Sequence, residues 1–246
     1  MDVTGHGYSR GTRRTVDPTM SGYKDRDQAG VMLANSLAHL IAPRGVVVVA
    51  LPRGGVPVAQ HVARLLRAPL DILIVRKVGA PGHPELACGA IASGGFVEWN
   101  ARIVEALGLT EGALDSLRRN AEHELREREM NLRNPDSPPL NMQGKTVVLV
   151  DDGLATGASM KAAVEAVRSM GPDTVTVAFP VGPERTCTEL EQLGCRVVCP
   201  LRIDDERFSS VGQWYDDFTQ VPSEVCRRLL SENRARFAPE QPHHVE

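Results

Sequence analysis

The chain has 246 residues, of which 42% are hydrophobic and 24% charged, so one large globular domain with a substantial core is expected. Its 28 basic and 31 acidic residues give a net charge of -3, which provides no electrostatic reason to expect nucleic acid or an anionic membrane as partner. No apolar run approaches the roughly 20 residues that span a bilayer, and the first residues lack the apolar segment of a secretory signal. The five cysteines include no C-x-x-C pair, and a reduced cytoplasmic protein is therefore expected.

The first part of the chain predicts a tail, a helix and then a strand–turn–helix unit. Residues 1–21 are rich in Gly, Ser, Thr and Arg without periodicity, which predicts a disordered tail. Asp25 is a suitable N-cap, because apolar residues follow it at helical spacing. Val46 to Leu51 is an all-apolar run typical of a buried parallel strand. It leads through Pro52-Arg53-Gly54-Gly55 into a predicted helix over 56–66.

A short strand, a glycine-rich segment and a helical insert are predicted next. Asp71 to Val75 should form a strand that ends in Arg76 and Lys77. Residues 78–95 are dense in Gly and Pro and predict a loop, with a short strand over 87–92 returning toward 96–99. Residues from about 100 to 133 predict a helical insert, whose many charges indicate a solvated face with i,i+4 ion pairs.

The second half alternates between strand and helix. Val147 to Val150 predicts a buried strand that ends in Asp151 and Asp152, and a predicted helix from Met160 to Met170 follows a loop of small residues. Another strand, helix and strand are predicted over 174–180, 184–193 and 196–201. This alternation predicts an α/β fold with a mostly parallel central sheet and helices on both faces.

The carboxyl-terminal region concentrates aromatic residues in a chain that has few. Aromatic residues are 4% of the sequence, yet four fall within 208–218: Phe208, Trp214, Tyr215 and Phe218. A predicted helix over 223–234 follows. We therefore expect one domain over residues 22–235 and a disordered tail over 236–246.

The stretch from Val147 to Ser159 has the composition of a ligand site. Backbone N–H groups of the small-residue loop and the positive end of the following helix suit a phosphate. Thr156 and Ser159 can add hydroxyl donors, and Gly157 lets the backbone come close to a ligand. The two acids at the strand end can accept hydrogen bonds from the hydroxyls of a sugar. Together these features indicate a pocket for a ribose 5-phosphate.

The same stretch resembles the 5-phosphoribosyl 1-pyrophosphate (PRPP) fingerprint of type I phosphoribosyltransferases. Four hydrophobic residues, two acids and small residues through Thr156-Gly157-Ala158-Ser159 carry the resemblance, which extends over residues 24–201. The stretches PRGG, VRKVGAPGHPELACGAIA and VGQWYDDF are similar to a bacterial subgroup of that family. The resemblance implies the fold of that family, with a helical insert and a small C-terminal hood.

Roles for individual residues follow from the resemblance. The ribose hydroxyls would be held by Asp151 and Asp152, which are also the implied catalytic acids. The 5-phosphate would be held by the loop residues Gly153, Ala155, Thr156, Gly157, Ala158 and Ser159. The turn Arg53-Gly54-Gly55 matches in position the pyrophosphate loop, where backbone N–H groups form a nest for the leaving group, often through a strained peptide.

Three further groups of residues have an implied role, and for two of them an alternative stays open. Arg76 and Lys77 could bring positive charge to the pyrophosphate and assist catalysis, or form a solvated strand end. Residues 78–95 occupy the place of a mobile lid that excludes water, with His83 and Glu85 as its ionisable members. The last group, Trp214, Tyr215 and Phe218, could form a hood on which a flat acceptor stacks, or a small satellite core.

The resemblance implies a cytoplasmic, Mg²⁺-dependent phosphoribosyltransferase of nucleotide metabolism. Its partners would be small molecules, namely PRPP and a nitrogen heterocycle that the sequence does not specify, and a homodimer is compatible with the family. Mg²⁺ would be held mostly by substrate oxygens, with Asp151 and Asp152 as candidate ligands. Two alternatives stay open: a module that senses PRPP or a nucleotide without turnover, and a hydrolase of a phosphoribosyl compound.

Overall fold

The computed structural model describes residues 22–38, 45–133 and 139–237. The predicted tail over 1–21 and residues 238–246 of the second predicted tail lie outside the described residues. The helices are α1 (Arg26–Leu37), α2 (Gly55–Leu66), α3 (Ala101–Ala106), α4 (Glu111–Leu132), α5 (Ala158–Ser169), α6 (Glu184–Gln192) and α7 (Ser223–Ala235). The strands are β1 (Val46–Ala50), β2 (Leu70–Ile72), β3 (Val75–Ala80), β4 (His83–Ala92), β5 (Phe96–Trp99), β6 (Thr146–Val150), β7 (Thr174–Ala178), β8 (Val181–Pro183), β9 (Arg196–Val198) and β10 (Leu201–Ile203).

A parallel five-stranded sheet forms the centre of the fold, in the order β2-β1-β6-β7-β9. The predicted α/β class with a mostly parallel sheet is therefore confirmed. The central strands β1 and β6 consist largely of valine, and alternate residues face opposite sides of the sheet. Val48 and Val148 pack against α2 on one face, whereas Val49 and Leu149 pack with α5 on the other. Because both faces are buried, the strands are apolar throughout rather than alternating.

The topology creates a crevice at the carboxyl ends of β1 and β6. These two strands are neighbours in register, with Val46 opposite Thr146 and Ala50 opposite Val150. The chain leaves β1 toward β2 at one edge of the sheet, and it leaves β6 toward β7 in the opposite direction. A crevice at such a reversal is where doubly wound α/β sheets bind ligands.

The region predicted as a loop over residues 78–95 is an ordered antiparallel sheet. Strands β3, β4 and β5 pair in that order, so the loop prediction is wrong, although the strand over 87–92 returning toward 96–99 is confirmed. Two of its glycines serve close packing within the strands, whereas Gly82, Gly94 and Gly95 have positive φ in the connecting turns. A Cβ at Gly79 would lie 2.5 Å from the Pro84 carbonyl oxygen, and one at Gly89 would lie 2.5 Å from the Trp99 ring. Glycine inside a strand often marks such close approach or a bulge.

The strands on either side of this antiparallel sheet also differ from the prediction. The strand predicted over Asp71–Val75 ends earlier, at Ile72, and Arg76 and Lys77 lie within β3 instead of at a strand end. The strand predicted over 196–201 is divided into β9, at the edge of the central sheet, and β10, which pairs with β8. Short strands with few apolar residues carry little periodic signal, and their ends are set by tertiary contacts.

The helical insert, α3 and α4, packs against the same core as α2 and α7. Ala121, Leu125 and Leu132 of α4 are buried in that core. Much of the remaining α4 sequence is charged, and the predicted i,i+4 pairing is present, since Arg118 lies 3.0 Å from Glu122. Within the described residues, none of the helices combines the length and the apolar character needed to cross a membrane.

A carboxylate pair links the antiparallel sheet to α5. Glu98 of β5 and Glu165 of α5 share a hydrogen bond, which together with burial raises the pKa of Glu165 to about 7. Because the pKa of Glu165 is higher in the folded than in the unfolded chain, protonated Glu165 stabilises the fold. This contribution is complete at acid pH and is lost as the pH rises through about 7.

Replacing Glu165 by glutamine should therefore flatten the pH dependence of stability between pH 6 and pH 8. The amide keeps a hydrogen-bonding partner for Glu98 without the second charge. Because Glu165 is partly exposed, the free energy of unfolding of Glu165→Gln at pH 8 should exceed that of the wild-type chain by no more than about 1 kcal/mol. Thermal unfolding at the two pH values measures it, with Glu105→Gln on the exposed surface of α3 as control. An equal effect of both variants would contradict the hydrogen bond between Glu98 and Glu165 as the cause of the pH dependence.

Candidate active site

The turns after β1 and β6 lie against each other at the crevice. The Leu51 amide donates to the Val150 carbonyl oxygen at 2.8 Å, which joins the two strand ends. A Cβ at Gly54 would lie 1.9 Å from Oδ2 of Asp152, and one at Gly55 would lie 2.8 Å from the Val150 oxygen. Both positions therefore require glycine, because the acidic strand end occupies the space of any side chain. The Pro52–Arg53 peptide bond is cis.

The two acids of the motif face different neighbours. Asp151 lines the cleft described below, and its Oδ1 accepts the backbone N–H of Asp152 at 2.9 Å. The Asp152 carboxylate accepts a hydrogen bond from Nε of Arg26, at the start of α1, at 2.7 Å. The backbone carbonyl oxygen of Asp152 accepts a hydrogen bond from the Tyr215 hydroxyl at 2.5 Å. Asp152 is thus held by the N-terminal helix and by the aromatic segment, whereas Asp151 faces the cleft.

Burial raises the pKa of both acids. For Asp151 the burial effect is largest, and the negative charge of Asp152 raises the pKa further. For Asp152 burial again dominates, and the hydrogen bond from Arg26 offsets part of the rise. Two adjacent carboxyls in a partly buried site, with only one paired to a cation, form the kind of perturbed pair that marks functional sites.

The loop after the acids has the shape of an anion cradle. Gly157 has a φ of 67°, the left-handed region that favours glycine, and α5 begins directly after it without a side-chain cap. The Thr186 hydroxyl donates to the Ala155 carbonyl oxygen at 2.6 Å and fixes the loop from the side of α6. Thr156 and Ser159 are exposed. The first-turn amides of α5 and these hydroxyls suit a phosphate.

A cleft of about 480 Å³ connects the two turns. Its polar lining includes Arg53 from the first turn, Asp151 and Ser159 from the second, and Ser223 from the start of α7. Its apolar lining comes from the strand ends, and a third wall comes from the last turns of α4. One cleft therefore joins the loop that suits a phosphate, the acid that suits a sugar, and the glycine turn.

Comparison with known proteins identifies the family of this chain. Residues 32–217 match the phosphoribosyl transferase domain. The chain belongs to the phosphoribosyl transferase family. A Mycobacterium tuberculosis protein named "Putative phosphoribosyl transferase Rv0571c", and its counterpart in a second strain, are 42% identical over 220 residues. That match covers 89% of this chain and 48% of those proteins, so the chain spans about half the length of the curated relatives it matches.

A solved structure shares the fold at similar identity. The crystal structure of TT1426 from Thermus thermophilus matches with a TM-score of 0.72 and 39% identity. The match covers 86% of this chain and 98% of that chain. The phosphoribosyl transferase architecture inferred from the sequence is thus confirmed over most of the chain.

Of the residues predicted for this phosphoribosyl transferase site, Arg53, Asp151 and Ser159 line the cleft in the part of the chain that the structure describes. The other predicted residues of the two turns lie beside these three without lining it, and the predicted charges of the antiparallel sheet lie elsewhere. Arg76 forms an ion pair with Glu124 of α4. Lys77 is exposed on β3. His83 and Glu85 are exposed at the start of β4, next to the tip of the antiparallel sheet. The lid role of residues 78–95 stays a prediction, now for a β-hairpin rather than a loop.

The aromatic segment forms a satellite core instead of an open stacking face. Trp214 and Tyr215 are buried in a cluster with Tyr23, whose ring centroid lies 5.5 Å from that of Tyr215. The guanidinium of Arg26 lies 4.0 Å from the centre of the Phe218 ring. The aromatic segment therefore contacts the acidic strand end in two ways. Its Tyr215 hydroxyl donates to Asp152 directly, and its Phe218 ring packs against Arg26, which also binds Asp152.

Sequence reasoning did not identify Arg26, Arg128, Asn131 or Ser223 as site residues. Arg26 stands at the start of a helix, and nothing in its local pattern shows that the helix begins beside the end of β6. Arg128 is one of many charged residues along α4, and the sequence offers no signal that separates it from the others. These contacts depend on how distant segments pack, which local periodicity does not encode.

Proposed function

We propose that this chain is a Mg²⁺-dependent phosphoribosyltransferase that uses PRPP as donor and releases pyrophosphate to form a bond between C1 of the ribose and a nitrogen heterocycle. The observation that carries the proposal is the single cleft lined by Ser159, Asp151 and Arg53. These three residues come from the phosphate loop, the acidic strand end and the glycine turn. A donor with a 5-phosphate, a ribose diol and a 1-pyrophosphate presents the matching groups in the same order.

The donor would be bound along the cleft. The 5-phosphate would accept hydrogen bonds from the backbone amides at the start of α5 and from the hydroxyls of Thr156 and Ser159. Asp151 would accept hydrogen bonds from the ribose hydroxyls, and its charged form would be favoured by those donors and by a metal ion. The pyrophosphate would lie at the turn Arg53-Gly54-Gly55, from which Arg53 lines the cleft.

The reaction needs positioning and charge stabilisation rather than a protein nucleophile. The C1–O bond to pyrophosphate breaks with its electron pair leaving on the oxygen, and a lone pair of the acceptor nitrogen forms the new bond to C1. The proton lost by the acceptor passes to solvent. Holding both reactants in line and stabilising the leaving charge are contributions that a preorganised cleft can make.

The donor set fits a Mg²⁺ ion that arrives with the substrate. Among the described residues that line the cleft, Asp151 is the one carboxylate. Mg²⁺ keeps several waters and is commonly held by one or two carboxylates together with phosphate oxygens. Asp151 and the oxygens of PRPP would therefore hold it, and its role when bound would be to neutralise the leaving pyrophosphate.

A sensing module without turnover is the second candidate. The observation that favours it is the contact of Arg26 with Asp152 at 2.7 Å, together with the burial of Trp214 and Tyr215. One motif acid is already neutralised, and the segment that could have stacked an acceptor is packed. Such a chain would bind PRPP but offer no place for a base.

Titration calorimetry of the wild-type chain with PRPP and Mg²⁺ tests the shared part of both candidates. We expect one binding site, competition by ribose 5-phosphate, and weaker binding when Mg²⁺ is chelated. Absence of PRPP binding would refute the donor assignment. Pyrophosphate release across a panel of purine and pyrimidine bases then separates the candidates, since binding without release supports the sensor. Release of ribose 5-phosphate without a base would indicate the hydrolase.

A further inference from the structure

The last turns of α4 form one wall of the cleft. Arg128, Asn131 and Leu132 line it, together with Arg53 of the first turn. Residues three and four positions apart share a face of a helix, so Arg128 and its two companions present a single surface to the cleft. The helical insert, which the charge pattern suggested was merely solvated, therefore contributes directly to the site.

Arg128 has no ion-pair partner among the described residues, in contrast to Arg118 and Arg119 of the same helix. Arg118 pairs with Asp115 and Glu122, and Arg119 pairs with Asp115. An exposed arginine without a partner is ordinary by itself. What sets Arg128 apart is that it lines the same cleft as Arg53, which also lacks an ion-pair partner within the described ranges. Two arginines thus face a cleft in which Asp151 is the only described lining carboxylate.

The wall that carries Arg128 is held firmly in place. Leu125 and Leu132 are buried in the main core, and Arg133, directly after the helix, lies 2.8 Å from Asp71 of β2. A charged group on a packed helix keeps its position better than one on an exposed loop. Arg76, which the sequence suggested for the pyrophosphate, is instead paired with Glu124 of the same helix.

We propose that Arg128 is a diphosphate-binding residue, which together with Arg53 holds the pyrophosphate of PRPP in the cleft. This inference rests on the proposed function. Ser159 and Asp151 are assigned there to the 5-phosphate and the ribose, so the remaining anion of the donor is left for the two arginines. As the C1–O bond breaks and its electron pair moves to the leaving oxygen, the guanidinium of Arg128 stabilises the charge.

Calorimetry with three separate ligands tests the assignment: PRPP with Mg²⁺, inorganic pyrophosphate with Mg²⁺, and ribose 5-phosphate. Arg128→Gln should weaken PRPP and pyrophosphate binding about tenfold or more, and leave ribose 5-phosphate binding unchanged. Arg128→Lys should recover part of the loss. The matched control is Arg126→Gln, because Arg126 is exposed on the same helix, lies off the cleft and has no ion pair within the described ranges.

Each outcome decides the matter. If the wild-type chain binds PRPP and pyrophosphate, and Arg128→Gln binds them as well as Arg126→Gln does, the assignment of Arg128 is refuted while the proposed function stands. The same holds if Arg128→Gln changes only the KM for a base, since the residue would then contact the acceptor. If the wild-type chain binds neither ligand, the proposed function fails, and the role of Arg128 fails with it.

Discussion

Replacing Asp151 by asparagine should abolish pyrophosphate release and weaken PRPP binding at least about tenfold, while raising the melting temperature of the ligand-free chain. The asparagine keeps the size of the side chain but loses the charge that accepts ribose hydroxyls and faces the metal ion. Removing a partly buried charge beside Asp152 should stabilise the fold by on the order of 1 kcal/mol, or about 2–4 °C for a chain of this size.

The pH dependence gives this prediction its sign. Burial and Asp152 raise the pKa of Asp151 in the folded state, so the folded chain binds this proton more tightly than the unfolded chain does. Protonation of Asp151 therefore stabilises the folded chain, and this contribution to the free energy of unfolding is complete at acid pH. It is lost as the pH rises through the folded-state pKa of Asp151. The advantage of Asp151→Asn should therefore be present at pH 8 and smaller at pH 5.

Thermal unfolding with and without PRPP and Mg²⁺ measures both effects together. The wild-type chain should gain stability from the ligand by mass action, and Asp151→Asn should gain little. Asp173→Asn, on the exposed surface before β7, is the control for an ordinary charge loss. An Asp151→Asn chain that binds PRPP like wild type would show that the ribose is held elsewhere.

The parts of the site that the sequence predicts are those set by local chemistry. Val147 to Val150 had to be a buried strand because it is short, apolar and β-branched, and the small-residue loop had to follow it. The neighbouring position of Arg53-Gly54-Gly55 follows once β1 and β6 are adjacent parallel strands of one sheet. The register that aligns Ala50 with Val150 then places the two turns in contact.

The parts that the sequence does not predict depend on tertiary packing. Gly79 and Gly89 lie in a glycine-rich segment whose composition predicts a loop. In the structure they lie within strands, where the Pro84 backbone and the Trp99 ring leave no room for a side chain. The pairing of Arg26 with Asp152 joins residues far apart in the chain, through a helix end whose direction the sequence does not specify. Arg128 is similar, since only the packing of α4 across the cleft distinguishes it from its charged neighbours.

The second large effect is expected at the base of the helical insert, where Arg133 forms a buried ion pair with Asp71. The two side chains are 10% and 4% exposed, and their nearest atoms lie 2.8 Å apart. Asp71 also accepts the Leu140 amide at 2.9 Å, and Arg133 donates to the Ile72 carbonyl oxygen at 3.1 Å. Residues on both sides of the 134–138 segment are thus joined to the strand that carries Asp71.

Arg133→Met should destabilise the chain by about 3–5 kcal/mol, because it leaves the Asp71 carboxylate buried without a cation. Adding Asp71→Asn should recover part of that loss, since the amide oxygen can still accept the Leu140 amide without carrying a charge. Denaturant unfolding measures both, with Arg118→Met as the control, whose exposed ion pairs should be worth less than about 1 kcal/mol.

The same ion pair connects stability with donor binding. Because Arg133 directly follows the helix that carries Arg128, the loss of its ion pair should let this wall of the cleft move. Arg133→Met should then weaken pyrophosphate binding under conditions where the chain is still folded, and leave ribose 5-phosphate binding unchanged. Equal destabilisation by Arg133→Met and Arg118→Met would contradict the energetic argument. Normal pyrophosphate affinity in a destabilised Arg133→Met chain would show that the ion pair stabilises the fold without positioning Arg128.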